Sequence, residues 1–255
     1  MKVVAIIQAR MGSSRLPGKM LMTLGNKPAF LHVVEQVRGC KTIHEIILAT
    51  TDTPLDDELA HLAEENATSF FRGSENDVLD RYYQAAKQIN ANVIIRITGD
   101  CPLIDPSVID SVVEAFLQGD GKYDYVSNIH PPTFPDGLDV EVFSFGALEK
   151  AWKEAELFSE REHVTPYIWK HPEFFPALNV SNETDFSSER WTLDTQEDLD
   201  FLRLVIREKG ERKLSWTEVK DMIDEHPEWR DINAHYHRNE GYEKSIAEET
   251  KKSSE

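Results

Sequence analysis

Short apolar runs alternate along this chain with stretches of helical period. Val3-Val4-Ala5-Ile6-Ile7, Ile46 to Thr51 and Val93 to Thr98 are rich in β-branched residues and lack helical spacing, which predicts buried strands. Thr68 to Arg72 is a weaker strand of the same kind. Between them, residues 28–37, 56–66, 78–89 and 106–117 carry apolar positions at helical spacing. Pro28 and Pro106 stand where a first helical turn tolerates proline. Strands alternating with helices at this spacing predict an α/β fold with a doubly wound, mostly parallel sheet.

The pattern changes near Gly119. Tyr123 to Asn128 reads as a strand, and Leu138 to Phe143 alternates apolar and acidic residues as a half-buried strand does. Helices are expected at 145–156 and 162–169, and an edge strand at Leu178 to Ser181. The lapse in regular alternation marks about 120–185 as an inserted α+β subdomain of a single domain spanning 1–230. Arg190 to Asp194 is expected to return as a strand, followed by helices at 195–208 and 215–223. Residues 231–255 are polar and charge-rich, which predicts a solvated or mobile tail.

Composition narrows the partners. The 255 residues include 46 acidic and 28 basic side chains, a formal charge of -18. That balance argues against a general nucleic-acid surface, which requires clustered cations. No apolar window is long enough to predict a membrane span, and the first residues do not resemble a secretory signal. Cys40 and Cys101 lack metal or redox spacing and read as reduced structural thiols of a cytoplasmic protein.

Against this acidic background, the loop after the first strand stands out. Ala9-Arg10-Met11-Gly12-Ser13-Ser14-Arg15-Leu16-Pro17-Gly18-Lys19 combines two glycines, two serines and three cations, the parts of a phosphate cradle. Five residues separate Gly12 from Gly18 and Met20 follows Lys19, so neither the Walker spacing nor its magnesium-binding hydroxyl is present. The dinucleotide fingerprint is absent as well. Metal ligands must come from elsewhere. Asp100 and Asp194 stand at the ends of predicted strands, where open α/β sheets bind ligands, and such a pair suits Mg²⁺ shared with substrate phosphates. Taken singly, Asp100 also fits a turn before Pro102, and Asp194 fits an N-cap with Glu197 completing a capping box.

The first loop, with Gly99-Asp100-Cys101-Pro102-Leu103-Ile104 and Leu193-Asp194-Thr195-Gln196-Glu197-Asp198-Leu199, resembles the cytidylyltransferases that activate acidic sugars. These include the CMP-KDO and acylneuraminate synthetases, and the resemblance is strongest to the SpsF-type branch named for spore-coat polysaccharide biosynthesis. It implies a three-layer fold of the nucleotide-diphospho-sugar transferase (GT-A-like) kind. It also implies Mg²⁺-dependent transfer of CMP from CTP to an acidic sugar, release of pyrophosphate, and a homodimer. On matching positions, Ala9, Arg10, Gly12, Ser13, Ser14, Arg15 and Lys19 would bind nucleotide, Asp100 and Asp194 would bind metal, and Arg10, Lys19 and Asp100 would be catalytic.

For the acceptor, Arg72, Arg81, Arg96, Asp139, Glu141 and Arg190 are the candidates near predicted strand ends or in the insertion. Arg96 lies within a strand, where it marks either a pocket or an ion pair. His163 reads as a surface or interface residue rather than a base. Two other functions fit the same elements: a nucleotide-sugar-dependent glycosyltransferase, and a non-catalytic nucleotide-binding partner protein.

Overall fold

The computed structural model describes residues 1–252. Its strands and helices run in the order β1 (Val3–Gln8), β2 (Thr23–Leu24), β3 (Lys27–Pro28), α1 (Ala29–Arg38), β4 (Glu45–Thr51), α2 (Asp57–Glu65), β5 (Ser69–Gly73), α3 (Val78–Gln88), β6 (Val93–Thr98) and α4 (Pro106–Gln118). There follow β7 (Tyr125–Ser127), β8 (Glu141–Ser144), α5 (Phe145–Glu154), α6 (Phe158–His163), α7 (Pro166–Trp169), β9 (Ala177–Asn179), α8 (Gln196–Lys209), α9 (Trp216–Asp224) and α10 (Glu240–Lys252).

The apolar runs bury both faces of each central strand. In β1, Val3, Ala5 and Ile7 enter one core while Val4 and Ile6 enter the other. In β6, Val93, Ile95 and Ile97 take the first side and Ile94 the second. α1, α4 and α8 cover the first face, and α3 and α5 the second, giving three layers. The expected α/β architecture, with a mostly parallel mixed sheet, is therefore present.

Seven strands form that sheet in the order β5-β4-β1-β6-β8-β7-β9. β1 pairs in parallel with β4 on one side and β6 on the other, with Ile6 opposite Ile47 and Arg96. The chain first winds outward from β1 to β4 and β5, then returns to place β6 on β1's other edge. The order thus reverses between β1 and β6, and a crevice opens beyond their carboxyl ends. Residues of the expected insertion extend this same sheet: β8 runs antiparallel between β6 and β7, and β9 is the edge.

Several local expectations need correction. The strand read from Leu138 begins at Glu141, and Glu141 is only 1% exposed, because β8 is an interior strand whose acid pairs with Arg96. Arg190 to Asp194 is no strand; Arg190 makes one isolated bridge to Asp136, and the rest is extended loop. The helix expected over 162–169 is broken into α6 and α7. Val164 takes φ 73°, a costly conformation for a β-branched residue, and Pro166 cannot donate to a continuing ladder. The polar tail is ordered through residue 252, where α10 packs on α6; residues 253–255 lie outside the described residues.

Candidate active site

Beyond the ends of β1 and β6 lies a cavity of about 570 Å³, lined by the first loop, the loop after β6, and segments from α6, α7, the 190–194 stretch and α10. The loop after β1 is tied down by its own backbone and by a buried acid. Gly18 N–H and Ser13 N–H both donate to the Met11 carbonyl, and the Ser13 hydroxyl accepts the Leu16 N–H. Gly18, at φ 74°, turns the chain into the short 3-10 turn that carries Lys19. Asp56, 1% exposed, accepts the Met11 N–H at 2.7 Å and the hydroxyl and amide donors of Thr50 and Thr51.

Gly99 lets this loop meet the one after β6. A Cβ there would stand 2.7 Å from the Ala9 Cβ, so the missing side chain admits the neighbouring loop rather than a ligand. Asp100 follows at once. Its carbonyl accepts the Leu193 N–H at 2.8 Å, which draws the 190–194 stretch alongside and places Asp194 opposite.

Lys19 joins the two acids. Its ammonium lies 2.6 Å from Asp100 Oδ2 and 2.7 Å from Asp194 Oδ1, with the residue only 7% exposed. Burial works against the ammonium, yet the two carboxylates outweigh it and raise the Lys19 pKa. Burial likewise disfavours the Asp100 carboxylate, and Lys19 reverses this to hold it below the usual range. Two hard oxygen donors from separate loops thus converge on one cationic group. That donor set fits Mg²⁺, which takes one or two protein carboxylates and completes its shell with phosphate and water. Among the described residues, no group of three or more His, Cys, Asp or Glu side chains could hold a metal.

Asp194 is not the helix cap that its sequence context allowed. The N-cap of α8 is Thr195, and Asp198, not Glu197, completes the capping box. Asp198 is fully buried and forms the hub of this corner. It accepts both the Asp194 and Thr195 backbone N–H groups, a bidentate pair from Arg190 at 2.9 Å, and Asn233 at 2.9 Å. The Asp194 side chain is thereby left to face Lys19 and Arg15, the latter at 3.1 Å.

The structure brings Ala9, Arg10, Gly12, Ser13, Ser14, Arg15, Lys19, Asp100 and Asp194 into one cavity, with Arg96, Asp139, Glu141 and Arg190. Arg96 lies 2.5 Å from Glu141, whose carboxylate also accepts the hydroxyls of Tyr125 and Thr165; ion pair and pocket coexist. Arg72 does not line the cavity. It donates to the Thr51 and Thr53 carbonyls and pairs with Asp57, bracing the sheet edge. Arg81 is not a lining residue either: it is 0% exposed, and none of its guanidinium nitrogens has a hydrogen-bond partner among the described residues. Burial and the nearby Arg10 charge push its pKa down. Arg10 itself is weakly engaged, 3.4 Å from Glu162 and 3.7 Å from Glu75.

His163 also departs from expectation. It lines the cavity, its ring nitrogen meets the Ser245 hydroxyl at 3.0 Å, and burial lowers its pKa to about 4. Asp136, Trp169, Glu240 and Tyr242 are further lining residues not foreseen from the sequence. Only Asp198 had a readable signal, as the third helical residue after Thr195. The others are assembled by tertiary contacts between distant segments.

The model of the family described as Cytidylyltransferase matches residues 4–222. The chain belongs to that family. SpsF of Bacillus subtilis, described as a spore coat polysaccharide biosynthesis protein, is 32% identical over 89% of this chain and 95% of its own length. An uncharacterized protein of Methanocaldococcus jannaschii is 38% identical over 92% of this chain and 95% of its own. The structure of a cytidylyltransferase from Leptospira borgpetersenii superposes with a TM-score of 0.88 at 37% identity, covering 93% of this chain and all of that one. A CMP-KDO synthetase solved with CTP shares the fold at a TM-score of 0.64 and 17% identity. This cytidylyltransferase is thus a nucleotidyltransferase of SpsF type on the nucleotide-diphospho-sugar transferase fold. Among its described residues, no helix is long and apolar enough to cross a membrane.

Proposed function

We propose that this cytidylyltransferase transfers CMP from CTP to a hydroxyl of an acidic sugar, releasing pyrophosphate in an Mg²⁺-dependent reaction that serves surface or spore-coat polysaccharide synthesis. The observation that carries this reading is the meeting of Asp100 and Asp194 on Lys19, beside a glycine- and arginine-bearing loop at the reversal point of the sheet. Arg10, Arg15 and Lys19 supply positive charge where the triphosphate chain would lie. As the acceptor oxygen attacks the α-phosphorus in line, negative charge grows on the phosphoryl oxygens and the departing pyrophosphate. Cations already fixed by the fold stabilise that charge without reorganising. Asp100 and Asp194 would hold Mg²⁺, which when bound adds further charge neutralisation at the phosphates.

An acidic acceptor is supported by Arg96, which lines the cavity and whose buried Nε has no hydrogen-bond partner among the described residues. Glu141, Asp139 and Asp136 offer acceptors for sugar hydroxyls. A cytoplasmic homodimer belongs to the same proposal, following the resemblance to the sugar-activating enzymes. The direct test incubates the protein with each nucleoside triphosphate, Mg²⁺ and a panel of sugar acids, and measures pyrophosphate release. Release with CTP and one sugar acid is the expected result. Silence with every combination, while CTP still binds, would point to a non-catalytic binding protein.

A further inference from the structure

Arg15 is gripped by carboxylates from two distant parts of the chain. One terminal nitrogen lies 3.1 Å from Asp194 Oδ2, and the other lies 2.6 Å from Glu240 Oε2. Glu240 is the first residue of α10, and its second oxygen accepts the His237 N–H at 3.0 Å. It lies beyond residue 222, where the match to the family ends. A segment outside the family core therefore places a carboxylate on an arginine of the phosphate loop.

The way α10 is attached suggests that this contact is reversible. The helix meets the body along Tyr242, Ser245 and Glu249, spaced three and four residues apart on one face. Ser245 bonds His163 at 3.0 Å, Tyr242 sets its ring against His163 and Trp169, and Glu249 accepts from the amide and hydroxyl of Ser159. Among the described residues, neither hydrophobic core includes a side chain from α10. Helices held by polar and ring-edge contacts, with no side chain in the hydrophobic core, open at lower free-energy cost than core helices.

A carboxylate and a phosphate present the same pair of oxygens to a guanidinium fork. We propose that Glu240 is a displaceable phosphate surrogate. It occupies Arg15 in the free protein, and the triphosphate of an incoming nucleotide exchanges it off Arg15 and loosens α10 from α6, so the C-terminal helix sets nucleotide affinity. The proposal rests on reading Arg15 as a triphosphate ligand.

Calorimetric titration of the full-length chain with CTP, and separately with inorganic triphosphate, tests both points. Glu240→Gln removes the competing charge and is expected to tighten binding about two- to fivefold at low salt, the range of a partly exposed ion pair. Unchanged or weaker binding by E240Q, while Arg15→Gln binds less tightly than the native chain, would overturn the role of Glu240 alone. If R15Q binds CTP as tightly as the native chain, the triphosphate reading of Arg15 falls and takes the proposal with it. Hydrogen exchange supplies a second measurement: amides of α10 are expected to exchange faster when CTP is added. Slower exchange would show the helix closing over the nucleotide and would overturn displacement.

Discussion

Lys19 and Asp100 meet at 2.6 Å, across a contact that joins the loop after β1 to the loop after β6. Because these strands flank the point where the sheet order reverses, the pair spans the crevice in which open α/β sheets hold ligands. Removing the Asp100 charge should leave that crevice standing while taking away one of its two proposed Mg²⁺ ligands. Asp100→Asn is expected to fold, to retain much of its CTP affinity, and to lose Mg²⁺-dependent pyrophosphate release by roughly 10²–10³-fold or more, the scale of losing a preorganised charge at a transition state. Turnover within a few fold of the native rate would remove Asp100 from the mechanism.

Lys19→Met tests the same site without any assay of turnover. The substitution leaves Asp100 and Asp194 facing each other with no cation between them, so like charges repel in a partly desolvated corner. The variant is expected to melt at a lower temperature than the native chain in EDTA. Mg²⁺ should then raise its melting temperature more than it raises that of the native chain, since ligand binding to the folded state alone stabilises it. Equal Mg²⁺ responses would show that the two carboxylates are not a divalent-cation site.

Arg81 offers a prediction of opposite sign. A guanidinium buried without hydrogen bonds carries a desolvation cost that the nearby Glu162 and Asp56 charges offset only in part, and Arg10 adds repulsion. Arg81→Met keeps much of the volume and removes the charge. Urea denaturation is expected to show equal or greater stability, in contrast to the usual result for a buried residue. A loss of about 2 kcal/mol or more would mean that the guanidinium is satisfied in the native protein.

The central fold was legible because β1, β4 and β6 are buried on both faces, and such strands read as unbroken β-branched runs. The loop after β1 stood out because Arg10, Arg15 and Lys19 fall within one short stretch of an acidic chain. What escaped notice was set by contacts between distant segments. Nothing local shows that Glu141 is an interior acid, because its partner Arg96 lies 45 residues away. Asp194 looked like a helix cap because the true cap, Thr195, is its neighbour, and helix boundaries are the least certain part of a sequence reading. The tail appeared solvated because α10 holds on by spaced polar contacts, which carry no hydrophobic signature.

Those contacts also give the protein a pH response centred on His163. Burial, reinforced by the Arg96 charge, favours the neutral ring and lowers its pKa to about 4, against about 6.5 in an unfolded chain. Between these values the unfolded state binds the proton and the folded state does not, so stability falls as pH drops from about 6.5 toward 4. Burial lowers the pKa of His32 and His130 as well, and they act in the same direction. Asp139 acts oppositely: burial raises its pKa to about 7, so over roughly pH 4 to 7 its contribution weakens as pH rises. The share of His163 is therefore read from the difference between the native chain and His163→Gln, which retains a partner for Ser245. From pH 6.5 to 4 the native chain is expected to lose roughly 1–2 kcal/mol more stability than the variant, allowing for partial exposure of the ring. Parallel denaturation curves for the two proteins over that range would show that the ring is protonated in the folded state.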